Sequence, residues 1–435
     1  MKETKFKQTE IGMIPDDWEV KELGEIAFVT KLAGFEFTAH VKYSDQGTII
    51  ALRGLNVRQG YLELEDVKYI DNSNFSKLNR SKLFKDDLLF TYVGTVGNVA
   101  LVDKNDSYYL APNVALIRNM KQICSQYIMY LLLSTSFFNS QIKTLMSTTS
   151  QAALSMTNIR LFKIPLPPTL AEQQKIAKAL SDVDNVISTL EKLITKKKNL
   201  KQGTMQQLLT GKKRLPGFAK SSDFKQTEIG EIPEDWEVVN ISRMCTIKAR
   251  IGWQGLKSDE YLDTGDYLLI TGTDFDNGFI NWKNCSYVTE WRFKQDKNIQ
   301  IKKGDVLITK DGTIGKVAFL NEVPMAGTLN SGVFVVRPKD YDLIDSVFLS
   351  LIFKSFWFDN FLEQITSGST IVHLYQKDFV KFNYILPSKP EQTAIANVLS
   401  SMDKEIEGLE AKLGKYRDLK TGMMQQLLTG MIRLR

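Results

Sequence analysis

The sequence predicts an α+β protein: two β-rich modules related by internal duplication, joined by two long helices that form an antiparallel coiled coil. Three observations carry this. The chain repeats itself at an offset of about 218 residues. Each copy ends in a heptad-patterned segment of about 40 residues. Between these landmarks run short β-branched stretches punctuated by glycine. The expected segments are a first module over 1–168, a first helix over 169–214, a linker over 215–222, a second module over 223–388 and a second helix over 389–435.

The duplication is read directly. Phe6 to Val20 is FKQTEIGMIPDDWEV and Phe224 to Val238 is FKQTEIGEIPEDWEV, alike at thirteen of fifteen positions and 218 apart (224 minus 6). Asp87 to Ala100, DLLFTYVGTVGNVA, returns at the same offset as Asp305 to Ala318, DVLITKDGTIGKVA. Glu172-Gln173 returns as Glu391-Gln392, and MQQLLTG over Met205–Gly211 returns as Met424–Gly430, both now 219 apart. A period this long is a domain with its appendage rather than a solenoid repeat. The ends match closely, whereas the interiors, about 20–165 and 238–385, keep only landmarks. That pattern suggests a common frame carrying two different specificities.

The helical segments come next. In the first, Ile176, Leu180, Val183, Ile187, Leu190 and Ile194 fall at alternating spacings of four and three. In the second, Ile395, Leu399, Met402, Ile406, Leu409, Leu413 and Tyr416 do the same. This is a coiled-coil seam. Pro167-Pro168 and Pro390 stand before the helices, and Gly211 and Gly430 fit as stops. The short linker puts the start of the second module near the far end of the first helix, so an antiparallel pair with one module at each end is expected. The charged faces, with Lys192, Lys196, Lys197, Lys198, Lys201, Lys412, Lys415, Arg417 and Lys420, read as a solvated surface in preference to phosphate contacts.

Three loops in each module carry the candidate chemistry. The stretch Leu52 to Gly60 and its counterpart Ile270 to Gly278 keep their glycines at 54 and 272 and at 60 and 278, while the polar residues between them change. Arg53, Asn56 and Arg58 in one copy, and Thr271, Thr273 and Asp274 in the other, include side chains able to read base edges: arginine reads guanine, asparagine reads adenine, aspartate accepts from cytosine. Ordinary drift of a surface loop is the alternative. The glycine loops Val93–Asn98 and Asp311–Lys316 lie between strands; their backbones, with Thr95, Asn98, Lys310, Thr313 and Lys316, could approach a phosphate, or the glycines could only close a tight turn. A third polar stretch precedes each helix, Ser147–Leu154 and Ser367–Leu374, where Gln151 and Ser369 could contact phosphates. His373 there reads as a packing or hydrogen-bonding residue.

Composition sets the outer limits. The net charge of +6 permits a nucleic-acid partner without demanding one. Three scattered cysteines and two histidines indicate neither a disulfide framework nor a zinc site, and a reducing cytoplasm is the natural compartment. No secretory signal and no membrane span is apparent. There is no P-loop spacing, and the only Pro-Pro pair lies between Leu166 and Thr169, unlike the tetrapeptide of amino-methyltransferases.

These residues together resemble the specificity subunit of Type I restriction-modification systems. The resemblance rests on Ile-Gly-x-Ile-Pro-x-x-Trp at the start, the Asp-apolar-Leu…Gly-Thr-x-Gly interior, Glu-Gln-x-x-Ile-Ala leading into a helix, and Gln-Gln-Leu-Leu-Thr-Gly at the end, each in duplicate. It spans essentially the whole chain. It implies a non-catalytic subunit with two target recognition domains, each reading half of a bipartite site in double-stranded DNA. The helices would set the gap and dock two methyltransferase subunits, and two motor-nuclease subunits would complete the complex. No cofactor is expected on this chain; S-adenosylmethionine, ATP and Mg would sit on the partners. Trp18 and Trp236 map to the family's frame, Gly94 and Gly312 to its loop glycines, and Gln173 and Gln392 to the helix starts. The rival readings are a subunit of a methyltransferase-only complex and a coiled-coil scaffold that reads no DNA.

Overall fold

The computed structural model describes residues 5–120, 122–146, 152–219, 223–366 and 373–434. Two units emerge, residues 1–192 with 410–435 and residues 193–409. Each unit holds a module, the first half of the helix that follows it, and the second half of the other helix.

The first unit opens with a hairpin, Phe6–Thr9 against Gly12–Pro15, in which Thr9 Oγ1 donates to the Gly12 carbonyl at 2.7 Å. Gly12 has φ +106°, a backbone state that favours glycine. A four-stranded antiparallel sheet follows in the order Ala27–Lys31, Val114–Asn119, Leu88–Thr91, Val99–Leu101. Leu88–Thr91 is buried along its length, as its unbroken apolar run requires of a central strand. A smaller sheet pairs Ile50–Leu52 antiparallel with Lys68–Tyr69 and parallel with Tyr108–Leu110. Glu19–Glu22 pairs with Lys163–Leu166, which returns the chain to the start of the long helix.

The second unit repeats this plan. Its large sheet runs Cys245–Ala249, Val333–Pro338, Val306–Thr309, Val317–Phe319, and its small sheet runs Ser286–Val288, Tyr267–Ile270, Gly327–Leu329. In both units the aspartate before the central strand is nearly inaccessible and holds an arginine two-handedly. Asp87 binds Arg118 at 2.7 and 2.6 Å, and Asp305 binds Arg337 at 2.6 and 2.7 Å. Such forked, charge-assisted pairs fix orientation as well as contributing energy. Their carboxylates also accept from backbone N–H groups of Phe84 and Lys302, so the preceding turn is tied to the sheet.

The long helices span Leu170–Leu209 and Lys389–Leu427. Pro390 lies inside the first turn rather than before it, where its missing N–H is harmless. Ile176, Leu180, Val183, Leu190, Ile194, Ile395, Leu399, Ile406 and Leu413 are buried, with Ile187, Met402 and Leu409 half-buried. The first two positions of each seam, Ile176 and Leu180 or Ile395 and Leu399, belong to the core of their own module. Contrary to the expected solvated face, several basic residues bridge the helices. Lys420 pairs with Asp184 at 2.7 Å and Arg417 with Glu191 at 2.7 Å in the first unit; Lys197 pairs with Glu405 at 2.6 Å and Lys201 with Asp403 in the second. Partner numbers rise in one helix as they fall in the other, so the pair is antiparallel. Exposed ion pairs contribute about 0.2–1 kcal/mol each, while burying a Leu or Ile contributes about 1.5–3 kcal/mol. The seam holds the helices together and the charges fix direction and register.

The matched ends of the two copies meet within each unit. In the first, Gly430 (φ +70°) lies so close to Pro15 and Trp18 that a Cβ would collide with the proline ring. Arg433 then reaches Glu172 at 2.5 and 2.8 Å and Asp17 at 2.7 and 3.0 Å. In the second, Gly211 (φ +69°) abuts Pro233 and Trp236, and Arg214 binds Glu391 at 2.6 and 2.8 Å and Asp235 at 2.8 and 3.1 Å. Glu172 is only 3% exposed, and Glu391 2%. Breaking a buried pair by removing one partner costs about 3–5 kcal/mol. The end of each helix is thus clamped to the hairpin and helix start of the other copy, which is why these segments are alike in sequence.

Candidate nucleic-acid interface

Each module carries a hollow built by the two glycine-framed loops. In the first it has a volume of about 400 Å³ and is lined by Tyr43, Arg53, Gly54, Leu55, Arg58, Thr91, Val93, Thr95, Asn98, Pro112 and Asn113. In the second it is about 570 Å³, with Tyr261, Thr271, Gly272, Thr273, Asp274, Asp311, Gly312, Thr313, Lys316, Asn330 and Gly332 among its lining.

The glycine loops hold their shape through one threonine. Thr91 Oγ1 donates to the Thr95 carbonyl at 2.5 Å and accepts from Asn98 N at 3.0 Å; Thr309 does the same with Thr313 and Lys316 at 2.6 and 2.9 Å. All four glycines have positive φ, from +68° to +97°. Their surroundings differ. A Cβ on Gly97 would strike Phe138 and one on Gly315 would strike Leu362, so these two pack against helices, whereas Gly94 and Gly312 face open space. The turn requires the glycines, and its first half leaves the backbone accessible.

The candidate residues separate by burial. Arg58, Thr95, Thr273, Thr313 and Lys316 are exposed at the hollows, and Arg53 and Thr271 are half-buried there. Arg53 is anchored by Asp66, whose carboxylate and carbonyl accept from Nη2 at 2.8 and 2.9 Å. Asn56 is corrected: it is fully buried, its Oδ1 accepting from Arg53 N at 3.1 Å and its Nδ2 donating to the Glu63 and Asp66 carbonyls at 2.8 and 2.7 Å. Asp274 is corrected likewise: 3% exposed, it accepts from Thr271 N at 2.7 Å and Thr271 Oγ1 at 2.9 Å. Burial raises its carboxyl pKa. Both close their loop from inside, so neither has a free edge for a base. Asn98 lines the hollow but is 8% exposed and donates to the Val57 carbonyl at 3.1 Å. Lys310 sits outside the lining, its ammonium lying over the Phe334 ring 5.4 Å from the centroid. Gln151 and Ser369 lie outside the described residues. His373 bonds through Nδ1 to Asp311 and packs on Tyr375, as a hydrogen-bonding role requires.

Among the described residues no cluster of His, Cys, Asp or Glu could hold a metal, and no helix is long and apolar enough to cross a membrane. A family model for the Type I restriction modification DNA specificity domain matches the chain twice, over residues 15–202 and 233–414. The chain belongs to the Type I restriction-modification specificity subunit family. It is 28% identical over 445 residues to the type I restriction enzyme MjaVIII specificity subunit of Methanocaldococcus jannaschii, covering all of this chain and 97% of that one. Its fold is similar to the crystal structure of the S subunit from M. genitalium, with TM-score 0.60, 15% identity and 98% of both chains covered. It is also similar to a chain solved in work on assembly and conformational transition of the type I R-M system, with TM-score 0.57, 17% identity, and 96% and 99% covered. As a member of this family the chain is a DNA-recognition subunit.

Four lining residues of the specificity subunit carry no local signal that singled them out in the sequence: Tyr43, Tyr261, Asn113 and Asn330. Tyr43 and Tyr261 occupy equivalent places in the two hollows and lie 218 apart. The offset could have found them, but neither sits in a recognisable motif. Asn113 and Asn330 were missed because nothing local marks the strand ends that carry them.

Proposed function

We propose that each hollow is the reading site of one target recognition domain and that each reads one half of a bipartite double-stranded DNA site. One observation carries this: an identical loop frame presents different chemistry. Arg53, Leu55, Val93 and Asn98 in one hollow are replaced by Thr271, Thr273, Asp311 and Lys316 in the other. The first lining has two arginines and no carboxylate, suited to acceptor-rich edges such as guanine. The second combines Asp311 with Lys316 and threonine hydroxyls, suited to a mixed donor and acceptor pattern. Thr95, Thr313 and the open glycine turns supply phosphate contacts that set register without reading sequence.

On this reading the antiparallel helices set the gap between half-sites and dock two methyltransferase subunits. Two motor-nuclease subunits complete a cytoplasmic complex in which S-adenosylmethionine, ATP and Mg are bound by the partners. The test is module exchange. Replacing residues 20–165 with the corresponding interior of another specificity subunit, then sequencing modified bases in a host carrying the complex, is expected to change one half-site and leave the other half and the gap intact. Both halves changing together would sink the assignment.

A further inference from the structure

The first unit contains a cavity of about 430 Å³ beside the N-terminal hairpin, away from the reading loops. Ile11, Met13, Leu131, Phe137, Met424 and Leu428 give it apolar walls, and seryl, threonyl and glutaminyl side chains form its polar part. No charged side chain lines it, so a phosphate or carboxylate ligand would find no counter-charge. Its size falls within the range of about 300–1,000 Å³ typical of small-molecule sites.

The duplication identifies what fits there. Gln173 Oε1 accepts from Cys124 N, and Gln392 Oε1 accepts from Asp345 N. Ser134 Oγ donates to the Leu131 carbonyl, and Ser355 Oγ to the Ile352 carbonyl. Cys124 and Asp345 stand 221 apart, as do Ser134 and Ser355, which makes exposed Ser136 the counterpart of Trp357. In the second unit the Trp357 indole is 8% exposed and its Nε1 donates to the Leu209 carbonyl at 2.9 Å. Its six-membered ring lies against the hairpin, 3.9 Å from where a Cβ on Gly230 would be. In the first unit the counterpart of Gly230 is Gly12, which has nothing within 4 Å, and the counterpart of Leu209 is Leu428, which lines the cavity. One unit supplies its own indole between helix end and hairpin, and the other leaves the space open.

We propose that this cavity is a binding site for an indole-type ring: planar, uncharged, apolar on its faces, and carrying one N–H donor for the helix end. Met13 and Met424 add polarizable sulfur, which favours aromatic contacts. The ring can arrive as a free small molecule or as a tryptophan side chain on a polypeptide.

Calorimetric titration of the full chain with indole is the test. The expected result is one site per chain with a dissociation constant below about 1 mM. Ser136→Trp, at an exposed position, fills the cavity from within and is expected to weaken indole binding at least about tenfold while raising the melting temperature. Trp357→Ser is expected to open a second site of similar affinity. If Trp357→Ser does not fold, wild type and Ser136→Trp decide alone. N-acetyltryptophanamide distinguishes the sources: competition with indole points to a peptide-borne ring, and no competition to a free molecule, each with the site confirmed by indole itself. Absence of indole binding to wild type, or unchanged binding in Ser136→Trp, overturns the proposal.

Discussion

Asn56 and Asp274 show how a polar residue in a glycine-framed loop can face inward. Each accepts the backbone N–H three residues before it and closes the loop from within. The difference is charge. Asn56 is neutral and donates to two carbonyls, whereas burial raises the Asp274 carboxyl pKa against the opposing pull of Thr271. An acid whose pKa rises on folding holds its proton more tightly in the folded state. Its ionised form therefore weighs against folding above the folded-state pKa, and the penalty fades as pH falls toward the unfolded value near 3.8. Asp274→Asn keeps the N–H acceptor and removes the buried charge. It is expected to raise the melting temperature by a few degrees, about what 1 kcal/mol produces in a unit of this size. The gain should be largest at neutral pH and close by about pH 4. Calorimetric scans across that range check it; a gain that grows toward acid pH would contradict the account. The glycines mark the loop in the sequence, but nothing in the sequence shows that these two side chains turn inward. Residue type says what hydrogen bonds can form, and only the fold says which partners lie nearest.

At the scale of elements the seam was legible and the charges were not. Heptad spacing located Ile176 through Ile194 and Ile395 through Leu413 because burial on one stripe imposes a period. Lys197, Lys201, Arg417 and Lys420 looked like a solvated face because their acidic partners lie about 200 residues away in sequence. Lys201 and Asp403 face each other across the second unit, and Asp403 also lies near Lys354, whose pKa burial lowers to about 8. Lys201→Glu sets like charges opposite each other and is expected to destabilise the second unit by about 0.5–1 kcal/mol. The compensating Lys201→Glu with Asp403→Lys should recover part of the loss, and the non-additivity in a double-mutant cycle measures the pairing. The recovery is partial because Lys354 favours a carboxylate at 403 over an ammonium. Urea midpoints of the four chains decide it; strict additivity would mean that the pair does not hold the helices in register.

For the molecule as a whole, duplication was the strongest sequence signal, and the fold gives it a cause. The segments most alike, IGxIPxDWEV, the Glu-Gln helix starts and QQLLTG with the arginine beyond it, meet in one clamp per unit. Each clamp joins the end of one copy to the start of the other, so a change in one segment must suit partners in the opposite copy. The interiors carry no such mutual constraint. The boundary between the two units cuts both helices, between Lys192 and Leu193 and between Leu409 and Glu410, and no periodicity could reveal it because the seam runs through without a break. It also names the place to test the helices as a spacer. Seven residues inserted in each helix at those cuts preserve the heptad phase, whereas a four-residue insertion in one helix alone would shift the seam. Each helix would lengthen by about 10 Å at 1.5 Å per residue, which corresponds to about three base pairs at 3.4 Å each. The clamps and both hollows lie outside the inserted segments. Modified-base sequencing is therefore expected to return the same two half-sites with a gap longer by about three base pairs. An unchanged gap with intact half-sites would show that something other than helix length sets the spacing.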